Sequence, residues 1–367
     1  MFENVKISVD NFALIKKGEF AIDKIAVIKG LDGKGKSDLN RILFAFLITL
    51  SSEGDYATVN LFRNIIFQSV RNHRDISFMR EFDEMIEDWD DYDASKDYLE
   101  SQFDKFKELL EKYGIKIDTS EMLEAIDLHG EYKQYRQTIL EEMLGREFIT
   151  GRLDTYRNYN VEFSIDDNPA GFIKQGNDNL RNTAITYDID LLPGNIIYLS
   201  PKPIMDFYYN FPYHYEELYH YMTSTHFKCK TDTKDLIAMI KDAMGGEFEL
   251  YDDEFYFTCD DGEETEIDEL PRKIKELGVL QILLDNKAIP EKSFLIIDNI
   301  DSRMDDEFQI KTAEILVKLA IKLDLLILVN TKSDVFADAF DKYSNLVAIN
   351  IYEGVSDGKG KLDFIGE

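Results

Sequence analysis

Five residues close to the N-terminus have the types and spacing of a phosphate-binding loop. Gly30, Gly35, Lys36 and Ser37 satisfy the pattern G-x-x-x-x-G-K-[ST], and Gly33 lies within the same loop. In such a loop the backbone N–H groups surround a phosphate, the lysine reaches the β- and γ-phosphates, and the hydroxyl binds Mg²⁺. We therefore predict that these residues bind a nucleotide. The alternative is that the glycines only form a tight structural turn.

The flanking segments have the character that such a loop needs. An apolar strand is predicted at Ile25–Ile28 and a helix at Asp38–Leu50, so the loop leads into a helix N-terminus, where the helix dipole favours negative charge. Two earlier short strands, Val5–Val9 and Gly18–Ile22, predict that the loop is fed by a mixed sheet. The pattern favours a nucleotide with Mg²⁺ as the ligand.

A second apolar run, Phe294–Asp298, ends in an acid. We expect this run to be a strand that carries its carboxylate to the loop, so that Ser37 and Asp298 together hold the Mg²⁺. From Pro271 onward, strand patterns alternate with helical patterns, which predicts parallel strand pairing. The sequence thus indicates an α/β fold.

The order of these motifs resembles that of a known family. The segments VKISVDNF, IAVIKGLDGKGKSDLNRILFAF, SFLIIDNID and LLILVNTKSD follow one another along the chain. In this order the chain resembles the ABC-type AAA ATPases, which are relatives of the SMC and OLD-nuclease ATPase heads of DNA-maintenance and anti-phage systems. The resemblance covers about residues 1–50 and 190–350. It implies a P-loop NTPase head of the ABC type with a mixed sheet, ATP and Mg²⁺ as ligands, and a second ATPase head or an effector protein as partner.

The same resemblance implies how the domains are arranged. Residues 1–60 and 185–367 are predicted to form the ATPase head, 61–150 an acidic helical insertion, and 151–184 short strands that link the insertion to the head. Residues 61–147 have helical periodicity with many charges, which predicts a solvated acidic face. Docking of a basic partner on that face is the alternative.

Three departures from the family pattern fall on the residues of hydrolysis. Asn299 stands where the family has the glutamate that polarises the attacking water, and an amide cannot accept the proton of that water. Asp301 is the candidate replacement. Lys332 occupies the position of the histidine that contacts the γ-phosphate, and it is either a phosphate contact or an exposed lysine. The segment 270–275 lacks the serine and glycine of the family signature, and its Pro271 offers no backbone donor.

These departures predict an ATP-binding switch or assembly subunit with weak or absent hydrolysis, by resemblance in phage defence or DNA maintenance. Two alternatives stay open. One is a slow ATPase that uses Asp301, with Lys332 at the γ-phosphate. The other is an acidic, non-catalytic interaction protein.

Composition limits the partners. A formal net charge of −30 disfavours sequence-independent DNA binding by this chain alone, because its field repels the phosphate backbone. The two cysteines are too few for a disulfide framework, and neither a signal peptide nor an apolar run of roughly 18 residues is present, so we expect a cytoplasmic protein without membrane contact. A metal site from His214, His220, His226 and Cys229 is a less favoured alternative to ordinary packing, because their spacing is not a standard zinc pattern.

Overall fold

The computed structural model describes most of the chain and divides it into two compact units. The described residues are 3–31, 33, 35–50, 66, 70, 76–87, 96–116, 132–148, 152–176, 181–186, 194–200, 212–223, 229–251, 254–356 and 361–366. One unit consists of Met1–Leu47 and Met143–Glu367, and the other of Ile48–Glu142. The predicted insertion, 61–150, overlaps the second unit without sharing its bounds.

The described residues contain strands of two sheets and several helices. The strands are β1 Val5–Phe12, β2 Ile15–Ile22, β3 Ile25–Lys29, β4 Tyr159–Ile165, β5 Asn168–Gln175, β6 Arg181–Ile185, β7 Ile196–Leu199, β8 Gly246–Tyr251, β9 Glu254–Cys259, β10 Glu264–Thr265, β11 Phe294–Asp298, β12 Leu326–Thr331, β13 Ile349–Ser356 and β14 Leu362–Gly366. The α-helices are α1 Lys36–Ile48, α2 Ile76–Glu87, α3 Lys96–Lys112, α4 Tyr132–Glu147, α5 Tyr213–Thr223, α6 Lys234–Met244, α7 Arg272–Asp285, α8 Asp306–Leu323 and α9 Asp334–Asp341. Short 3₁₀ turns lie at Arg152–Thr155 and Ile267–Glu269.

The large sheet is mixed, with eleven strands in the order β6-β5-β4-β1-β2-β14-β13-β3-β12-β11-β7. β3, β12, β11 and β7 are parallel neighbours, whereas β1 pairs antiparallel with β2 and β4. β11 and β12 are buried at every residue, as expected of parallel strands covered on both faces. The predicted fold class, an α/β protein with a mixed sheet, is confirmed.

One hydrophobic core holds the parallel half of this sheet against its helices. It includes Val27, Ile297 and Val329 from the strands, and Leu280 and Leu316 from α7 and α8. This core fixes the three strands whose ends carry the candidate site residues.

The second unit has a hydrophobic cluster of its own. Phe78 and Phe82 of α2 are buried with Phe103 and Phe106 of α3. The four positions fall at helical spacing within the predicted helical region, so each helix has one apolar face.

Two segments differ from the sequence-based expectation. β4, β5 and β6, predicted as links between insertion and head, extend the large sheet, because β4 pairs along β1 and its Phe163 ring stacks on Phe46 of α1 with centroids 4.0 Å apart. The apolar pattern of 346–351 predicts a strand there, whereas β13 begins at Ile349, and a further strand, β14, pairs antiparallel with it. Among the described residues, no helix is long and apolar enough to cross a membrane.

Candidate nucleotide-binding site

The glycine-rich loop connects β3 to α1 and is anchored at its first residue. The Gly30 N–H donates to the carbonyl oxygen of Thr331 at 3.0 Å, which continues the pairing of β3 with β12 into the loop. Gly33 and Gly35 have φ angles of +71° and +92°, in the region that favours glycine. A Cβ on Gly35 would lie 2.8 Å from the Cβ of Ala13, so the turn between β1 and β2 closely approaches the loop.

Lys36 is buried at the start of α1, with 3% of its surface exposed. Its ammonium donates to the carbonyl oxygens of Gly30 at 2.6 Å and Leu31 at 2.9 Å. The positive charge is therefore held inside the loop, where a phosphate-binding lysine is needed.

Asp298, at the end of β11, meets the loop from the other side. Its carboxylate is fully buried and lies beside the Ser37 hydroxyl, which lowers the pKa of the acid. The Tyr198 hydroxyl donates to Oδ2 at 3.2 Å, and the Asn299 amide donates to Oδ1 at 2.9 Å. Burial raises the pKa of Asp298, while the hydrogen bonds from Ser37 and Tyr198 and the nearby Lys36 ammonium oppose this rise. The structure thus places Ser37 beside Asp298.

The donor chemistry of this pair fits Mg²⁺. A hydroxyl and a carboxylate are hard oxygen ligands, and Mg²⁺ is usually bound by one or two carboxylates together with phosphate oxygens and water. Within the described part of the chain, no group of three or more His, Cys, Asp or Glu side chains could hold a metal ion. A cation at Ser37 and Asp298 would therefore share its coordination with phosphate and water.

The residues after Asp298 are held by local hydrogen bonds. Asn299 has a φ angle of +53°, a left-handed conformation that asparagine adopts more readily than most residues, and its amide binds Asp298. Asp301 is 3% exposed and accepts a hydrogen bond from the Thr331 hydroxyl at 2.8 Å. The candidate base is therefore engaged with β12.

Lys332 follows β12 directly and is exposed. The next residue, Ser333, caps α9 by accepting from the Phe336 N–H at 3.3 Å and donates to Gln309 at 2.6 Å. Because β12 lies between β3 and β11 in the sheet, Lys332 leaves the same edge from which the loop and Asp298 emerge.

The segment in the place of the family signature precedes α7. Pro271 stands immediately before the helix, and the two basic residues that follow it are paired within the chain. The Arg272 Nε donates to Glu276 at 2.9 Å, and the Lys273 ammonium donates to Asp305 at 2.7 Å. Both side chains therefore form ion pairs with neighbouring carboxylates.

His214 is a core residue. Its side chain is fully buried, and its Nδ1 lies 2.7 Å from Oε2 of Glu147. His220 and Cys229 are half-buried, and His226 lies outside the described residues. The buried position of His214 agrees with the ordinary packing that the sequence favours over a metal site.

Two contributors to the site have no recognisable signature in the sequence. Tyr198 and Glu147 lie in segments that predict only a strand and a helix. Only the pairing of β7 with β11 brings Tyr198 to the site. In this pairing Tyr198 lies opposite Ile296, two residues before Asp298.

Fold and site together define the class: an α/β protein with a glycine-rich loop between β3 and α1 and a buried acid at the end of β11. The chain matches no known family model and no curated protein. Solved structures similar to it include the SMC head bound to the C-winged helix domain of ScpA, with 12% identity, a TM-score of 0.48, and coverage of 100% of this chain and 97% of that chain.

Two further SMC heads are similar at lower scores. The SMC head domain from Thermotoga maritima has 11% identity and a TM-score of 0.43, over 99% of this chain and 98% of that one. An SMC head with an extended coiled coil, bound to the C-terminal domain of ScpA derived from Pyrococcus furiosus, has 10% identity and a TM-score of 0.38, over 100% and 96%. Likeness at this level identifies no function.

Proposed function

We propose that this chain binds ATP with Mg²⁺ and acts as a nucleotide-dependent switch or assembly subunit of the ABC-type ATPase class, with weak or absent hydrolysis. The observation that carries the proposal is the position of the Ser37 hydroxyl beside the buried carboxylate of Asp298, whose pKa it lowers. These two residues come from distant parts of the sequence, yet they meet beside the loop with the oxygen donors that a nucleotide-bound Mg²⁺ requires.

In this proposal the loop and Lys36 bind the phosphates, and Ser37 and Asp298 bind the cation. The loop N–H groups and the start of α1 favour phosphate oxygens, and Lys36 supplies a point charge. Ser37 and Asp298 hold the cation, which when bound neutralises negative charge on the phosphates. The buried setting of Asp298 strengthens these electrostatic interactions, because solvent screens them less there.

Weak hydrolysis follows from the residues around Asp298. Asn299 donates its amide to Asp298 and has no basic group for the water's proton, so general-base assistance of typically about 10²–10⁴-fold is lost. Asp301 accepts from Thr331 and is buried, which favours a structural role.

The partner is a second ATPase head or an effector protein. Pro271 and the paired Arg272 and Lys273 make a symmetric pair of identical sites unfavourable, because this segment lacks the donors that contact the partner's γ-phosphate in the resembling family. A different head that supplies the signature is therefore the preferred partner. By the same resemblance, we propose a role in phage defence or DNA maintenance, and the two cysteines favour a reducing compartment such as the cytoplasm.

Phosphate release and thermal unfolding test this proposal. ATP with Mg²⁺ at 100 times its Kd stabilises the folded state by about 2.7 kcal/mol, so the melting temperature should rise in the wild type and remain constant in Lys36→Ala. Phosphate release should stay at the background level of Lys36→Ala. Release that depends on Lys36 would instead exclude a subunit that only binds ATP and favour the slow ATPase. Absence of an ATP-dependent rise in melting temperature would favour the acidic interaction protein.

A further inference from the structure

A stack of three rings lies next to the carboxylate of Asp298. The His214 ring is buried between those of Tyr198 and Tyr215, and both centroid distances are 4.3 Å. Tyr198 donates its hydroxyl to Asp298, whereas the Tyr215 hydroxyl pairs with the Ser200 hydroxyl at 2.7 Å. Only the first tyrosine of the stack therefore hydrogen-bonds the proposed metal ligand.

A buried carboxylate, that of Glu147, holds the His214 ring of the stack in place. Oε1 of Glu147 accepts the His214 backbone N–H at 2.8 Å, and Oε2 lies 2.7 Å from the ring Nδ1. Glu147 is the last residue of α4, where the helix dipole disfavours a negative charge, and its side chain is 0% exposed. A carboxylate in this setting is retained only with strong partners, so its two bonds to His214 define the ring position closely.

The tyrosine hydroxyl is a dependable donor. The Tyr198 side chain is fully buried, and its hydroxyl points its proton at the carboxylate of Asp298. With Oδ2 held by Tyr198 and Oδ1 by Asn299, the Asp298 carboxylate has a defined orientation. Hydrogen bonds of this kind orient metal ligands and raise metal affinity.

We propose that Tyr198 is a positioning residue for the Mg²⁺ ligand Asp298, and that Glu147 and His214 set the place of the Tyr198 ring. This inference rests on the proposed function, because it assumes that Asp298 binds the cation. Loss of the Tyr198 hydroxyl, which lies 3.2 Å from Asp298, should reduce the gain in ATP affinity due to Mg²⁺ and leave the phosphate loop intact.

The test compares Tyr198→Phe with Tyr215→Phe. Both variants remove one buried hydroxyl from the same stack, but only the first removes a donor to Asp298. The measurement is ATP affinity by calorimetry with Mg²⁺ and again with EDTA. We expect Tyr198→Phe to reduce the gain in affinity due to Mg²⁺ by about 10-fold while the affinity in EDTA is unchanged, and Tyr215→Phe to change neither.

Two Glu147 variants extend the test to the ring support. Glu147→Gln retains an acceptor for the backbone N–H and a polar partner for the ring, so it should keep most of the gain that Glu147→Ala loses. Circular dichroism and the melting temperature establish that each variant is folded before it is titrated.

The outcomes separate this inference from the proposed function. A wild-type protein that does not bind ATP, or binds it equally with and without Mg²⁺, overturns both. Wild-type binding with a Mg²⁺ gain that Tyr198→Phe preserves overturns the positioning role alone. An equal loss in Mg²⁺ and in EDTA also overturns it, since that result indicates a general structural effect.

Discussion

The Thr331 hydroxyl donates a hydrogen bond to Oδ2 of Asp301 at 2.8 Å. The carbonyl oxygen of Thr331 accepts the Gly30 N–H at 3.0 Å, and its hydroxyl also accepts the Ser333 N–H at 2.9 Å. One residue at the end of β12 therefore joins the segment after Asp298 to the first residue of the glycine-rich loop. This connection makes Asp301 an anchor of the site.

An anchoring role predicts different effects for two substitutions of Asp301. Asp301→Asn retains an oxygen that accepts the Thr331 hydroxyl, whereas Asp301→Ala leaves the buried proton of that hydroxyl without an acceptor, which costs about 1–3 kcal/mol. Urea unfolding should show the loss for alanine and a smaller change for asparagine. A general base would respond differently, because Asp301→Asn would then abolish phosphate release.

The sequence predicted those parts of the site where phosphate or metal binding allows only a few residue types. The loop pattern and the acid at the end of an apolar run were recognisable because phosphate binding needs glycines, lysine and a hydroxyl at fixed spacing, and the structure places Ser37 beside Asp298. Their roles in nucleotide and metal binding stay predictions. The alternation of strand and helix patterns after Pro271 likewise predicted parallel pairing, which β11 and β12 show.

Other parts were not predictable because long-range pairing decides them. β4, β5 and β6 are short and alternate in the way many strands do, and only their pairing with β1 places them in the large sheet. Tyr198 and Glu147 are ordinary residues for a strand and a helix end, and their significance comes from neighbours far away in sequence, Asp298 and His214.

The close approach of the β1–β2 turn to the loop can be tested with two glycines. Gly33 and Gly35 both have positive φ angles, so alanine at either position costs roughly 1–2 kcal/mol in backbone strain. A Cβ on Gly33 would meet nothing within 4 Å, whereas one on Gly35 would lie 2.8 Å from the Ala13 Cβ. We expect Gly35→Ala to lose about 1–3 kcal/mol more than Gly33→Ala in urea unfolding.

Gly33→Ala serves as the matched control for that comparison. Equal losses of unfolding free energy in the two variants would contradict the packing of the turn against the loop, since backbone strain alone would then account for both.

The buried carboxylate of Asp298 predicts a conflict between stability and metal binding. Its pKa in the folded state is raised above the ordinary value of 3.8, so the carboxyl favours folding at low pH and this contribution is lost as the pH rises through the folded-state pKa. Asp298→Asn removes the charge, and the Ser37 and Tyr198 hydroxyls can reverse their hydrogen bonds to accept from the new amide.

We therefore expect Asp298→Asn to be at least as stable as the wild type at about pH 7, with a difference in unfolding free energy that shrinks as the pH falls towards 3.8. Urea unfolding over this range measures the difference. The variant should also lose the Mg²⁺-dependent part of its ATP affinity. A variant markedly less stable at neutral pH would show that the charge of Asp298 supports the fold.

Titration calorimetry with ATP and Mg²⁺ is the most direct test of the proposed nucleotide site. The wild-type protein should give saturable heat at one site per chain, and Lys36→Ala, which removes the ammonium that binds the Gly30 and Leu31 carbonyls, should give none. A wild-type protein that gives no binding heat, while circular dichroism shows it to be folded, would contradict the account.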